Sequence, residues 1–142
     1  MRGLALRDHA GVSELLAYGM EEKRGRILIV DDEPDVRELL RDFLASVGDE
    51  VATAASGADA LEVVPVFLPD VILTDLLMPG MSGADLFDAL RGAGVTVPVI
   101  LISGQPIRMP EGFFGFLRKP FDLRKLAEVV TAAIDHGRTG RA

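Results

Sequence analysis

The sequence predicts a doubly wound α/β sheet whose five strands all run parallel, and two observations carry that expectation. From Arg26 onward, short apolar runs alternate with amphipathic segments. The runs are also continuous rather than alternating in polarity, as strands are when helices cover both faces of a sheet. In such a fold the functional crevice lies beyond the carboxyl ends of the strands, so whatever ends each run is a candidate for chemistry.

RILIV, beginning at Arg26, is the first strand. Pro34 suits a first helical position, and Val36, Leu39, Leu40, Phe43, Leu44 and Val47 trace one helical face that Gly48 closes. EVATAA is a weaker second strand. Ser56 is placed to cap GADALEVV, a short helix expected to stop near Pro65. DVILTD is the third strand, followed by the loop LLMPGMSG, and Ser82 can cap ADLFDALR, which Gly92 and Gly94 terminate. VPVILIS is the fourth strand and FFGFL the fifth. Asp122 caps LRKLAEVVTAAIDH, where Leu123, Leu126, Val129, Val130, Ala133 and Ile134 form the last apolar stripe.

The crossover between the fourth and fifth strands departs from this rhythm. With strand five starting near Phe113, only GQPIRMPEG, Gly104 to Gly112, connects the two, and it contains two prolines. A parallel crossover through a helix generally needs about 10–12 residues or more. The fourth helix is therefore expected to be shortened to a turn or replaced by a loop.

The chain of 142 residues suits one domain, with 49% hydrophobic and 26% charged residues. Residues 1–24 read as an N-terminal extension or linker, in which Val12, Leu15, Leu16 and Gly19 fall at helical spacing; residues 25–136 form the domain and 137–142 a short tail. A net charge of −7 argues against direct nucleic-acid binding, which needs clustered Lys and Arg. The absence of cysteine excludes disulfides and thiolate chemistry. No apolar run approaches the roughly 20 residues that span a bilayer, and the N-terminus lacks the apolar core of a signal peptide, so the default expectation is a cytoplasmic chain without membrane insertion.

ILIVDDEP, Ile27 to Pro34, ends a buried strand in three adjacent acids. Repulsion among partly desolvated carboxylates makes sense if something positive sits between them; the alternative is a solvated turn that is merely acidic. The other strand ends supply company: Asp75 after strand three, Ser103 after strand four and Lys119 after strand five. Asp31, Asp32 and Asp75 offer hard oxygen ligands suited to Mg²⁺, and Lys119 with the Ser103 hydroxyl could bind phosphoryl oxygens. A carboxylate at such a site can itself attack phosphorus and form an acyl phosphate.

These stretches resemble the response-regulator receiver domain of bacterial two-component signalling. ILIVDDEPDVRELL matches its acidic first loop, VILTDLLMPGMSG its phosphoacceptor loop, VILIS its hydroxyl-bearing strand and FLRKPF its lysine–proline segment, in order, between about Arg26 and Ile134. The resemblance implies a flavodoxin-like sheet of order 2-1-3-4-5. It implies Asp75 as phosphoacceptor, Asp32 as a direct Mg²⁺ ligand, Asp31 acting through metal-bound water, and the backbone carbonyl of Leu77 as a further ligand. Ser103 would contact the phosphoryl group, Lys119 would bridge it, and the bond before Pro120 would be cis, aiming Lys119 inward. Glu33 reads as a loop acid rather than a ligand.

Phe116 matches the family's aromatic switch position, moving with Ser103, although a plain core role suits so apolar a strand nearly as well. The implied partners are a sensor histidine kinase or histidine phosphotransfer protein as donor, and a downstream protein as target. Catalysis would be self-directed, with slow autodephosphorylation rather than turnover. The short link from Ser103 to Lys119 is similar to that of receivers attached to hybrid sensor kinases, and it puts in doubt the usual output face built on the fourth helix. Gly104 leaves the pocket open, while Leu77 offers no polar group to orient an attacking water.

Three other readings are weaker. A pseudo-receiver gives no reason to keep so many costly polar groups together. A Rossmann enzyme would need GxGxxG where DDEP stands. A Mg²⁺-dependent phosphatase on a related sheet would carry a DxD pair that LTDLLMPG lacks.

Overall fold

The computed structural model describes residues 25–139. Strands β1 (Arg26–Val30), β2 (Glu50–Ala54), β3 (Val71–Asp75), β4 (Val99–Ser103) and β5 (Gly115–Arg118) form one parallel sheet of order β2-β1-β3-β4-β5. Helices α1 (Pro34–Ser46), α2 (Gly57–Phe67), α3 (Gly83–Gly92) and α4 (Leu123–Thr139) complete it. The architecture is the flavodoxin-like one expected. The expected extension with Val12, Leu15, Leu16 and Gly19 lies outside the described residues.

The strands are apolar on both sides because the sheet is buried on both. Ile27, Ile29, Val71, Leu73, Ile100 and Ile102 face Leu40 and Leu44 of α1 and Leu126, Val130, Ala133 and Ile134 of α4. On the other face, Leu28, Val30, Ile72, Val99 and Leu101 meet Ala60 and Val64 of α2 and Leu86 and Leu90 of α3. Alternate residues of each strand thus serve opposite layers, and every one adds burial free energy at roughly 25 cal/mol per Å² of apolar surface.

Local chemistry sets the helix starts. Ser56 Oγ accepts from the Asp59 amide at 3.1 Å, and Ser82 and Asp85 form a reciprocal capping box. Asp122 Oδ1 accepts from the Lys125 amide at 2.7 Å. Pro34 occupies the start of α1, and Gly48, at φ 103°, turns the chain out of that helix.

Several boundaries differ from the sequence expectation: α4 runs to Thr139, past the expected end at His136 and into the expected tail, and three others shift as well. α2 does not stop near Pro65 but continues to Phe67. A proline there forfeits one amide bond close to the end, and the last turn gains tertiary partners instead. Arg26 Nε donates to the Phe67 carbonyl at 2.8 Å while its guanidinium lies 4.3 Å from the centre of the Phe67 ring. β4 begins at Val99 and β5 at Gly115, each two residues later than the apolar runs suggest.

The β4–β5 connection, residues 104–114, contains no helix. Phe113 turns inward and stacks on Phe87 of α3 with ring centres 4.4 Å apart, and Ile107 packs on the same core. Gly112, at φ 99°, passes so close to the Phe87 ring that a side chain there would collide with it. An aromatic stack and a loop thus cover the sheet where a fourth crossover helix would lie.

Candidate functional site

The parallel register delivers the polar strand ends to one edge. Val30 pairs with Thr74, Asp75 with Ile102, and Ser103 with Arg118, so Asp31, Asp75, Ser103 and Lys119 emerge side by side. The pairing continues one residue further, where the Lys119 amide donates to the Ser103 carbonyl at 2.8 Å. Asp31 and Ser103 are each 1% exposed and Asp75 6%, whereas Asp32 and Glu33 are open to solvent.

Asp31, Asp32 and Asp75 each offer a carboxylate oxygen, and these oxygens all lie within 4.8 Å of one another. Lys119 reaches into the group. Its Nζ lies 3.3 Å from Asp75 Oδ2, 3.5 Å from Asp31 Oδ2 and 3.4 Å from Glu33 Oε1. Burial pushes the Asp31 carboxyl up from its ordinary range and Asp75 adds to the push, against the pull of the Glu33 amide and Lys119. Burial alone would lower Lys119, yet Asp31 and Asp75 together outweigh it and raise the ammonium above its usual value. The cluster holds more negative charge than one lysine neutralises. Its donor set is three hard carboxylates, two of them buried, which suits a divalent metal ion.

The loops that carry these groups are tied to the sheet. Asp31 Oδ1 accepts from the Glu33 amide at 2.9 Å, and Arg37 of α1 donates to the Asp31 carbonyl at 2.7 Å. Beyond Asp75, the Gly83 amide donates to the Leu76 carbonyl at 2.8 Å, and a side chain on Gly83 would strike the Asp75 carbonyl. That glycine lets the start of α3 close against the loop. The Ser103 hydroxyl accepts from the Gln105 amide at 3.0 Å. The Lys119–Pro120 peptide is cis.

Residues 27–131 match the family model of the response regulator receiver domain. The chain belongs to that family. This receiver is similar to the DNA-binding transcriptional regulator NtrC of Escherichia coli strain K12, at 33% identity over 120 residues covering 80% of the chain and 26% of NtrC. It therefore spans about a quarter of that relative's length. Among solved structures, a receiver domain from Clostridium thermocellum superposes with a TM-score of 0.74 at 30% identity, covering 80% of the chain and 97% of that structure. The receiver domain of the hybrid histidine kinase CckA superposes with a TM-score of 0.68 at 38% identity, covering 78% and 99%. The protein is thus a receiver domain of a two-component system.

Within this receiver the sequence-derived site residues fall as follows. Asp31, Asp32, Asp75 and Lys119 converge. Ser103 is buried at the same edge, with its hydroxyl turned to the Gln105 amide. Leu77 stands 57% exposed in the loop that follows β3. Phe116 is half-buried against the α2 and α3 layer, opposite Leu101 in the β4–β5 register. Glu33, read from sequence as a loop acid, reaches Lys119 across 86 positions of chain. Arg37 and Gly83 were not singled out from the sequence; for Gly83 the signal was the small residue directly after the Ser82 cap.

Among the described residues no helix is long and apolar enough to cross a membrane.

Proposed function

We propose that this receiver takes a phosphoryl group onto Asp75 from the phosphohistidine of a sensor histidine kinase or histidine phosphotransfer protein, with Mg²⁺, and so switches a protein–protein interaction. The observation that carries the reading is the convergence of two further carboxylates and the Lys119 amine on the buried Asp75. Asp32 would ligate Mg²⁺ directly, with Asp75 and the Leu77 carbonyl, while Asp31 would act largely through metal-bound water. Bound there, the metal would neutralise charge on the transferring phosphoryl oxygens.

In the transfer, an Asp75 carboxylate oxygen bonds to phosphorus as the bond from phosphorus to the histidine nitrogen breaks, and the bonding pair stays on the imidazole. Lys119 binds a phosphoryl oxygen and offsets its charge. Ser103 gives up the Gln105 amide and turns its hydroxyl to the phosphoryl group. The space released allows Phe116 to turn further inward, biasing an existing active state.

The output follows from the missing helix. The face that a helix between β4 and β5 would supply is here the loop 104–114, so partner choice rests on that loop with β5 and α4. Similarity to the CckA receiver, which belongs to a hybrid histidine kinase, supports a phosphorelay setting. Transphosphorylation followed by intact-mass measurement tests the proposal. One phosphoryl per chain, dependent on Mg²⁺ and lost in Asp75→Ala, is expected; no addition, or addition undiminished by that substitution, overturns it. Pull-down with and without beryllofluoride then identifies the partner.

A further inference from the structure

Thr74 is fully buried, and its hydroxyl donates to the carbonyl of the next residue, Asp75, at 3.0 Å. The need for that donor lies in how the strands end. The Leu76 amide donates to the Ile102 carbonyl of β4 at 2.8 Å, so the main-chain groups of Asp75, one position earlier, point the other way, toward β1. β1 stops at Val30, which pairs with Thr74. Among the described residues the ladder therefore ends before it can offer the Asp75 carbonyl an amide, and the Thr74 hydroxyl takes that place.

The other buried acid of the site is served in the same way. The Asp31 carbonyl, also past the end of β1, accepts from the Arg37 guanidinium at 2.7 Å. At Asp75 the consequence reaches further, because the peptide after it opens the loop to Leu77, whose carbonyl the receiver reading assigns to Mg²⁺. Gly83 closes on the Asp75 carbonyl so tightly that a side chain there would strike it. Thr74 and Gly83 together leave that peptide little room to rotate.

We propose that Thr74 is a positioning residue for the phosphoacceptor loop: its hydroxyl holds the peptide after Asp75, and so sets the Asp75 carboxylate and the Leu77 carbonyl at the spacing a metal ion needs. The ligands are then placed before the ion arrives, and less ordering is charged to its binding. The inference rests on the receiver reading above, because it needs Mg²⁺ at that loop.

The test is calorimetric titration of Mg²⁺ into the metal-free chain. Thr74→Val keeps the branched shape and removes the donor, and is expected to weaken Mg²⁺ binding by up to about fivefold, the equivalent of one ordinary hydrogen bond. Thr74→Ser returns the hydroxyl and is expected to restore most of the affinity. Ile72→Val, two positions earlier on the same buried face of β3, should lower stability to urea and leave the affinity unchanged. No Mg²⁺ binding by the native chain would sink the metal site of the receiver reading itself. Native binding that Thr74→Val leaves unaltered, a Thr74→Ser chain as weak as Thr74→Val, or equal weakening in Ile72→Val overturns the role of Thr74 alone. Should Thr74→Val fail to fold, the Thr74 hydroxyl proton of the native chain decides the matter. An NMR signal slow enough in exchange to be resolved, and shifted by saturating Mg²⁺, supports the clamp; a hydroxyl that exchanges too fast to be seen, or that ignores Mg²⁺, ends it.

Discussion

At the entry to β1, Asp49 accepts the Gly25 amide at 3.0 Å and Asp70 accepts the Arg26 amide at 2.8 Å. At its exit, Asp31 and Asp75 lie close enough to share a lysine and, with Asp32, to hold a cation. The residue type is the same and the partners are not. A carboxylate at the entry is engaged by main-chain N–H groups and anchors where the sheet begins. At the exit the strands run out, amides are scarcer, and the acids face one another. That leaves charge in want of a mobile partner, which is what makes one edge structural and the other chemical.

The contrast can be broken most severely at the two extremes. Asp75→Asn is expected to abolish phosphorylation while the domain still unfolds cooperatively in urea. Asp70→Ala should leave phosphoryl incorporation intact and lower the unfolding free energy by about 1 kcal/mol, the low end of the range for orphaning an amide, because that of Arg26 is only partly buried. Comparable loss of phosphorylation in both variants would erase the distinction between the edges.

Mg²⁺ gives the next largest effect. At one hundred times its dissociation constant it should stabilise the native chain by about 2.7 kcal/mol, and Asp32→Asn should lose that gain while Asp70→Ala keeps it. Thermal unfolding at matched ionic strength reads this directly.

The pH response sharpens the comparison in the metal-free protein. Burial, reinforced by Asp75, raises the folded pKa of Asp31 above its value of 3.8 in the unfolded chain. Between those two values the native state holds a proton that the unfolded state has lost. The contribution of this group is therefore full below 3.8 and falls away as pH rises through the folded pKa. Urea titrations across that window should show Asp31→Asn gaining on the native protein as pH increases, then running parallel to it above. A flat difference would mean that Asp31 is not strained. The smallest effect is expected at Leu77→Asn, which supplies a polar group beside the acyl phosphate and should shorten its lifetime; unchanged decay would remove any role for Leu77 in slow dephosphorylation.

Much of the exit edge was legible because its residues are read against strand ends, and a strand end is visible in sequence. Asp31, Asp32, Asp75, Ser103 and Lys119 each close an apolar run, and parallel strands bring such closings together. The entry edge was not legible in the same way. Asp49 and Asp70 bond to amides 24 and 44 positions away, and nothing in their neighbours marks them apart from ordinary turn acids. Glu33 shows the same limit inside the site, since its place in the turn was readable but its reach to Lys119 depends on how β5 is laid down. Pro65 misled for a related reason: a local rule stopped α2 there, while Arg26, far away in sequence, holds its last turn.

The loop that joins β4 to β5 also bears on how the domain assembles. Residues 104–114 are the shortest link between any two paired strands of this sheet, compared with 31–49 for β1 and β2 and 76–98 for β3 and β4. Closing a chain loop costs about 0.6 kcal/mol more for each doubling of its length, so this pair bears the smallest entropic charge of the parallel pairings. Shortening the crossover has moved the most local contacts of the sheet to its β5 edge. A chain that otherwise depends on distant segments meeting thereby acquires a nearby place to begin, next to Lys119 and its acidic neighbours.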